Sequence, residues 1–94
     1  MHPRHRLARN VRRLRVEAGL SQEAVATDAR LEVVHVSRIE RALANPTVDV
    51  LVRLARALGS DISALFAPVD ARAAVPANLK RGRKAKPKRA AARP

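Results

Sequence analysis

The sequence contains no cysteine, tryptophan or tyrosine, and it has one phenylalanine, Phe66. The lack of cysteine excludes disulfides, zinc fingers and thiol nucleophiles. A single aromatic residue offers almost no platform for stacking unpaired bases, so single-stranded nucleic acid is disfavoured as the main target. No apolar run approaches the roughly 18 to 20 residues that span a bilayer, and the N-terminus lacks a continuous apolar signal region. These absences predict a cytoplasmic protein with no membrane partner.

The groups that usually carry catalysis or bind metal are also missing at useful spacings. No carboxylate pair, Ser-His constellation or glycine-rich phosphate loop occurs, and the three glycines fall at predicted helix ends or in the tail. His2 and His5 lie in an N-terminal stretch predicted to be mobile, and they have no carboxylate or thiolate nearby. Such a pair makes a poor metal site. The sequence therefore predicts no enzyme, no cofactor and no metal.

Positive charge is what the chain has in excess. Its 94 residues include 20 Lys plus Arg against 8 Asp plus Glu, which gives a formal net charge of +12. This balance predicts a polyanionic partner. A chain of this length is expected to form one domain.

The charge is concentrated near the C-terminus. Residues 72–94 include nine basic residues and no acidic ones, whereas residues 1–71 carry a net charge of only +3. The tail has too few large apolar residues to offset an ordering entropy of roughly 1 to 2 kcal/mol per residue. We therefore expect a folded domain over residues 5–67, followed by a tail over 68–94 that is disordered when free. As a random coil this tail would reach about 25 Å.

Five amphipathic helical segments are predicted between residues 5 and 66, and no strand pattern competes with them. The second is expected over 22–29 and the third over 32–42, and the fourth is expected to run to Leu58. Their predicted inward residues are Leu7, Val11, Leu14 and Ala18; Val25, Ala26 and Ala29; Val36, Ile39 and Leu43; Val50, Leu51, Leu54, Ala55 and Leu58; and Ile62, Leu65 and Phe66.

Residues that favour helix ends separate these segments. Gly19 and Gly59 suit the left-handed conformation that ends a helix. The residues expected to cap the starts of the second, fourth and fifth helices are Ser21, Thr47 and Asp61. Pro68 closes the predicted domain.

The second and third segments form the pattern of a helix-turn-helix motif. Ala26 is small where the two helices would cross closely, and Val36 is a branched residue that would fill the wedge between them. Val33 and Val34 lie off the inward stripe of the third helix. By itself this pattern indicates two crossed helices and does not show which ligand they bind.

A longer set of residues closely resembles the Cro and phage-repressor (XRE) helix-turn-helix family. The matching stretches are Leu20-Ser21-Gln22-Glu23, Val36-Ser37-Arg38-Ile39-Glu40-Arg41, Asn45-Pro46-Thr47 and Leu54-Ala55-Arg56-Ala57-Leu58-Gly59. The resemblance covers about residues 7–66. It implies an all-α, lambda-repressor-like fold of five helices, with the motif at about 22–41. It also implies a transcriptional regulator whose third helix enters the major groove of double-stranded DNA.

The resemblance also assigns roles to individual residues. Arg15 and Glu40 match a structural ion pair, beside Ala26 and Val36 at the helix crossing. The positions that match base-contacting residues are Val33, Val34, Ser37 and Arg38. The positions expected to contact phosphate are Gln22, Ser21, His35, Arg12, Arg13 and Arg41. Arg38 is the residue suited to a bidentate contact with guanine, although it could instead be a solvated surface arginine, and the two valines could form a protein-binding patch.

Three residues depart from the family pattern. Arg30 stands where the family usually has a glycine with positive φ, a conformation that costs a side-chain-bearing residue roughly 1 kcal/mol. Glu32 replaces a common serine cap, although its charge suits the helix dipole. Ala42 replaces a frequent glycine, which predicts that the third helix runs a residue further.

In the tail, Lys80, Arg81, Arg83 and Lys84 surround Gly82 and partly resemble an AT-hook without its flanking prolines. The simpler interpretation, which we favour, is nonspecific attraction to phosphates. In either case the tail is expected to raise affinity more than it sets sequence preference.

These observations predict a sequence-specific regulator of bacterial or phage type, located on the nucleoid. The alternatives are a nonspecific architectural DNA-binding protein, an antitoxin-type autorepressor and an RNA or ribosome-associated binder. No segment resembles a toxin-neutralising element unless the tail is one. A homodimer would form either through Ile62, Leu65 and Phe66 or only on DNA.

Overall fold

A computed structural model describes residues 1–69, and within them it contains five α-helices and no strand. The helices are α1 (Pro3–Glu17), α2 (Gln22–Ala29), α3 (Val33–Glu40), α4 (Val48–Ala57) and α5 (Ile62–Leu65). The predicted all-α class with five helices is confirmed. The predicted boundary after residue 67 lies within the described residues, whereas all but the first two residues of the predicted tail lie outside them.

The first helix begins earlier than predicted. Pro3 occupies its first turn, and the His2 side chain accepts a hydrogen bond from the Arg4 N–H at 3.1 Å. Proline suits this place because its missing N–H would have no helical partner there. The expectation of a mobile stretch at His2 and His5 was wrong, since His2 caps α1 and His5 lies inside it.

The predicted caps of the later helices are confirmed. The Ser21 hydroxyl accepts from the Ala24 N–H at 3.0 Å, and the Thr47 hydroxyl accepts from the Val50 N–H at 3.2 Å. The Asp61 carboxylate accepts from two N–H groups in α5. Each cap satisfies donors that the first turn of a helix leaves without a partner.

The core is formed where all five helices meet, and most of the predicted inward residues lie in it. The residues that are nearly fully buried include Leu7, Val11, Leu20, Val25, Ala26, Ala29, Val36, Ile39, Leu51, Leu54, Ala55, Leu58 and Leu65. Ile62 and Phe66 are half-buried and pack against this cluster. Leu65 is 0% exposed, so the prediction that it could pair two copies of the domain was wrong.

The third helix is shorter than predicted. It ends at Glu40, and Ala42 takes a left-handed conformation with φ of 60° instead of extending the helix. Because the chain leaves the helix axis there, Leu43 does not continue the inward stripe and its side chain is 50% exposed. The prediction of a buried Leu43 was therefore wrong. The fourth helix also ends one residue earlier than predicted, with Leu58 as its C-cap.

Candidate nucleic-acid interface

The helix-turn-helix geometry is built around two buried side chains. Ala26 on α2 is 3% exposed and Val36 on α3 is 0% exposed, and both belong to the central cluster. A larger residue than alanine would push the helices apart, since protein cores leave little free volume. This packing fixes the position of α3 against α2.

The turn between α2 and α3 contains a left-handed arginine. Arg30 has φ of 58° and ψ of 46°, as the comparison with the usual glycine predicted. The Arg53 guanidinium, from α4, donates to the carbonyl oxygen of Arg30 at 3.1 Å and to that of Ala29 at 3.4 Å. Arg53 thus binds two carbonyls at the end of α2. Sequence reasoning missed this role, because the position of Arg53 one turn after Asp49 does not indicate a contact with the end of α2.

The start of α3 presents an exposed surface. Val33 and Val34 are 38% and 55% exposed. Arg38 is exposed on the same helix, while Ser37 and His35 are half-buried. Glu32 caps α3 without a side-chain hydrogen bond. The predicted base-contacting residues therefore share the exposed side of one helix that is buried on its opposite side.

Two arginines near the end of α3 bind backbone carbonyls. One Nη group of Arg38 donates to the Leu43 carbonyl at 3.2 Å, and the Arg41 Nε donates to the Ser37 carbonyl at 3.4 Å. A guanidinium has five N–H donors. Each side chain therefore keeps further donors for a ligand.

A buried ionic network connects α1, α2 and α3. The Arg15 guanidinium donates to both carboxylate oxygens of Glu40, at 2.6 and 3.0 Å, and the two side chains are 1% and 3% exposed. Arg15 also donates to the Leu20 carbonyl at 3.0 Å. The prediction of a structural pair is consistent with this burial. The Gln22 amide joins the network by donating to Glu40 Oε1 at 3.1 Å.

The residues at the start of α2 are engaged within the protein. Ser21 is 4% exposed and its hydroxyl caps the helix. The Gln22 side chain is half-buried and is held by Glu40. One amide hydrogen and the amide oxygen of Gln22 do not take part in that bond. The predicted phosphate contacts of these two residues stay predictions.

The arginines of α1 differ in their surroundings. Arg13 pairs with the exposed Glu17 at 3.3 Å and donates to the Asn10 side-chain oxygen at 3.2 Å. Arg12 is half-buried beside the end of α3. Asn10, which sequence reasoning missed, is 1% exposed and donates to the carbonyls of Leu65 and Ala67, both at 3.0 Å. A polar residue within the apolar face of α1 was the available signal for this structural role.

Other predicted features concern absences or lie in the tail. Within residues 1–69, no helix is long and apolar enough to cross a membrane, and no cluster of metal-ligating side chains occurs. The predicted tail contacts lie outside the described residues; they are Lys80, Arg81, Arg83 and Lys84.

The chain matches a known family over most of its described part. A family model described as a helix-turn-helix domain matches residues 6–65, which include all of α2 to α5 and most of α1. A relative from Sinorhizobium fredii, named as an uncharacterized HTH-type transcriptional regulator (y4dJ), is 40% identical over 70 residues. Those residues are 74% of this chain and 91% of the relative.

Solved structures share the fold at comparable identity. The restriction-modification controller protein C.AhdI from Aeromonas hydrophila is 32% identical, with a TM-score of 0.65, over 67% of this chain and 96% of that protein. A hypothetical transcription factor, NHTF, from Neisseria is 36% identical, with a TM-score of 0.69, over 71% of this chain and 77% of that one. Fold and sequence likeness therefore point to the same group of proteins.

Proposed function

Since this chain belongs to the XRE-type helix-turn-helix family of DNA-binding transcriptional regulators, we propose that it binds double-stranded DNA in a sequence-specific manner through α3. The observation that carries this proposal is the exposed start of α3, where Val33, Val34 and Arg38 face outward from a helix whose other side is buried. A helix of this kind fits the major groove, which is wide enough to admit it. The rest of the domain, which packs against the buried side of α3, would hold this helix in a fixed position.

The base-contacting residues differ in chemistry. Arg38 suits guanine, whose O6 and N7 accept two parallel hydrogen bonds, and such a contact discriminates against other bases by about 1 to 3 kcal/mol. Val33 and Val34 suit the methyl group of thymine. Ser37, half-buried between them and Arg38, can accept or donate. Together they would read a short run of base pairs.

The phosphate contacts would set the position of α3 on the duplex. Glu40 holds the Gln22 amide through one N–H; the other hydrogen of the amide and the N–H groups at the start of α2 would donate to one phosphate. Ser21 would contribute its backbone more than its buried hydroxyl. The remaining predicted phosphate ligands are His35, Arg12, Arg13 and Arg41.

The tail and pairing on DNA would raise affinity. The nine basic residues of 72–94 would add nonspecific attraction through counterion release. Two copies would bind paired half-sites. Because Leu65 is fully buried, a dimer held by α5 would depend on the half-buried Ile62 and Phe66; otherwise the copies would pair only on DNA.

Selection from random duplex DNA tests this function, using the full chain and a chain that ends at Pro68. We expect both to enrich the same motif, with weaker binding and a smaller salt slope for the shorter chain. Arg38→Ala should remove the preference for that motif, whereas Arg56→Ala, on the exposed side of α4, should leave it intact.

The second candidate is a nonspecific architectural DNA-binding protein, which the high charge of the tail favours. In that case neither chain would enrich a motif, and Arg38→Ala would lower affinity equally for all sequences. That result would overturn sequence reading by α3.

A further inference from the structure

Glu32 stands at the N-terminal end of α3, immediately before the exposed Val33 and Val34. It is the N-cap of that helix, and its side chain, which is exposed, makes no capping hydrogen bond. The caps Ser21 and Thr47, in contrast, both accept a hydrogen bond from the first turn of their own helices. The carboxylate of Glu32 is therefore not engaged by hydrogen bonds with the helix that it precedes.

Glu32 also makes no ion pair within residues 1–69. The carboxylates of Glu17, Glu40 and Asp49 each pair with an arginine, at N–O distances of 2.6 to 3.4 Å. Arg30 lies only two residues before Glu32, but no such pair joins them in the described part of the chain. A carboxylate with neither a cation nor a hydrogen-bond donor beside it keeps both oxygens available to a ligand.

The position of Glu32 is the end of α3 that would come nearest to the bases. In helix-turn-helix domains the N-terminal residues of the recognition helix contact base edges in the major groove. Glu32 would lie there beside Val33 and Val34, with a phosphate backbone on either side. A carboxylate at such a place must either accept a hydrogen bond from a base or lower the affinity for DNA, since the phosphates repel it.

The hydrogen-bonding groups on the base edges favour one partner. A carboxylate accepts hydrogen bonds and donates none. In the major groove guanine offers two acceptors, thymine offers an acceptor and a methyl group, and adenine offers its N6 amino group beside the N7 acceptor. Cytosine offers its N4 amino group alone. Cytosine is therefore the base whose edge presents a donor without an acceptor, and it suits an ionised carboxylate best.

We propose that Glu32 reads a cytosine, with its carboxylate accepting a hydrogen bond from the N4 amino group in the major groove. This inference rests on the proposed function, since it requires that α3 enters the groove. Glu32 then contributes to specificity in two ways. The hydrogen bond favours a site that has the cytosine, and the negative charge disfavours sites where no donor meets it. Arg38, six residues further along α3, would read a guanine with the opposite chemistry.

The first experiment repeats the selection from random duplex DNA with the full chain and its Glu32→Gln and Glu17→Gln variants. We expect the unchanged chain to enrich a motif with a cytosine at a fixed distance from the guanine that Arg38→Ala no longer selects. Glu32→Gln should replace that cytosine by adenine, because a glutamine amide bonds both N6 and N7 of adenine, and should keep the guanine. Glu17→Gln, which removes an equal charge from the exposed end of α1, is the control and should enrich the original motif.

The second experiment assigns the contact to the N4 amino group. Affinity is measured for the enriched duplex and for one whose cytosine is replaced by 2-pyrimidinone, which lacks that group. The unchanged protein should lose about tenfold, as loss of one hydrogen bond to a charged group would cause. Glu32→Ala, which has no acceptor there, should bind both duplexes within about twofold of each other. It should also bind a scrambled duplex about threefold more tightly, because it no longer repels the phosphates.

Thermal unfolding of each variant checks that the domain remains folded. Little change is expected, since the Glu32 side chain is exposed and makes no capping bond.

The outcomes distinguish failure of this inference from failure of the proposed function. If the unchanged chain enriches no motif, α3 does not read sequence and both are overturned. If it enriches a motif that Glu32→Gln leaves the same at every position, sequence reading stands and reading by Glu32 is overturned. If the Glu32 variants raise affinity equally for all duplexes, the carboxylate only repels phosphates, and the inference is again wrong. Loss of the cytosine from the motif, together with the coupled effect of 2-pyrimidinone, supports it.

Discussion

The ends of the supporting helices α1 and α4 and the ends of the motif helices α2 and α3 have the same backbone geometry but different residues. In each case the N–H of the residue that follows a left-handed residue donates to a carbonyl five residues back, at 2.8 to 3.0 Å. The left-handed residue is Gly19 in α1 and Gly59 in α4, whereas it is Arg30 in α2 and Ala42 in α3. The motif therefore adopts, without glycine, a conformation that glycine favours.

This difference means that other contacts of the domain must offset the cost of the left-handed residues in the motif. A side-chain-bearing residue in the left-handed conformation costs roughly 1 kcal/mol or more. For Arg30 the contacts that offset this cost are the buried crossing of Ala26 and Val36 and the bonds from Arg53 to the carbonyls at the end of α2. The supporting helices end where the sequence alone favours an end.

Breaking the ion pair that joins the supporting helix α1 to the motif helix α3 should have the largest effect. Glu40→Ala removes the carboxylate that Arg15 and Gln22 share and leaves a buried guanidinium without its charge partner. We expect a loss of about 3 to 5 kcal/mol in the free energy of unfolding, measured by urea denaturation. Glu17→Ala, which breaks the exposed pair with Arg13, is the matched control and should cost less than about 1 kcal/mol. Equal losses in the two variants would contradict a special role for the buried network.

Replacing the glycine at the end of a supporting helix should give that helix a left-handed residue with a side chain, as at the ends of the motif helices. At Gly59 an added Cβ would meet nothing within 4 Å, so the cost of Gly59→Ala comes from its φ of 69° alone. We expect a loss of about 1 kcal/mol in the free energy of unfolding. An unchanged unfolding midpoint would show that the end of α4 relaxes to another conformation.

Introducing glycine at the left-handed positions of the motif should have the opposite effect and stabilise the domain. Arg30→Gly and Ala42→Gly remove the left-handed strain but make the unfolded chain more flexible, so each should gain only about 0.5 to 1 kcal/mol of stability. Arg30→Gly is expected to keep motif preference in the DNA selection, since Arg53 binds backbone carbonyls there. Gly introduced at exposed Arg56, inside α4, is the control and should destabilise. A loss of stability in both motif variants would mean that Arg30 and Ala42 make contacts worth more than the strain.

The smallest expected effect concerns acid stability of the last helix. Hydrogen bonds from the Ser63 side chain and the Ala64 N–H hold the pKa of Asp61 below its ordinary value of 3.8. The stabilisation from this carboxylate is therefore present above pH 3.8 and is lost as the pH falls below it. Asp61→Asn should keep a cap, but its side chain does not titrate. The stability of this variant, measured by urea denaturation, should therefore decline slightly less between pH 5 and pH 3 than that of the unchanged protein. An identical decline in both proteins would show that Asp61 does not contribute to it.

Much of the fold could be predicted because its signals are local. Ser21, Thr47 and Asp61 cap helices as expected, and the spacing of apolar residues identified nearly the whole core. Where a prediction was wrong, the local structure was decided by a turn or by a contact with a residue distant in the sequence. Leu43 is exposed because Ala42 turns the chain away from the axis of α3.

Part of the candidate site could likewise be predicted from the sequence, and part could not. The resemblance to a family indicated which positions of α3 face outward, and the exposure of Val33, Val34 and Arg38 agrees with it. It did not predict that Gln22 would be held by Glu40, that Arg53 would bind the end of α2, or that Arg12 and Arg41 would line one cleft. These pairs are 18 to 29 residues apart in the sequence, and no spacing rule relates residues on different helices.

The sequence by itself determined the all-α class and the starts of α2, α4 and α5, because caps and periodicity act over a few neighbouring residues. The tertiary structure alone decided where α3 ends, how a left-handed arginine is accommodated and which charged side chains meet. The physical reason is that these outcomes depend on distances between helices, which are set only when the shared core is packed.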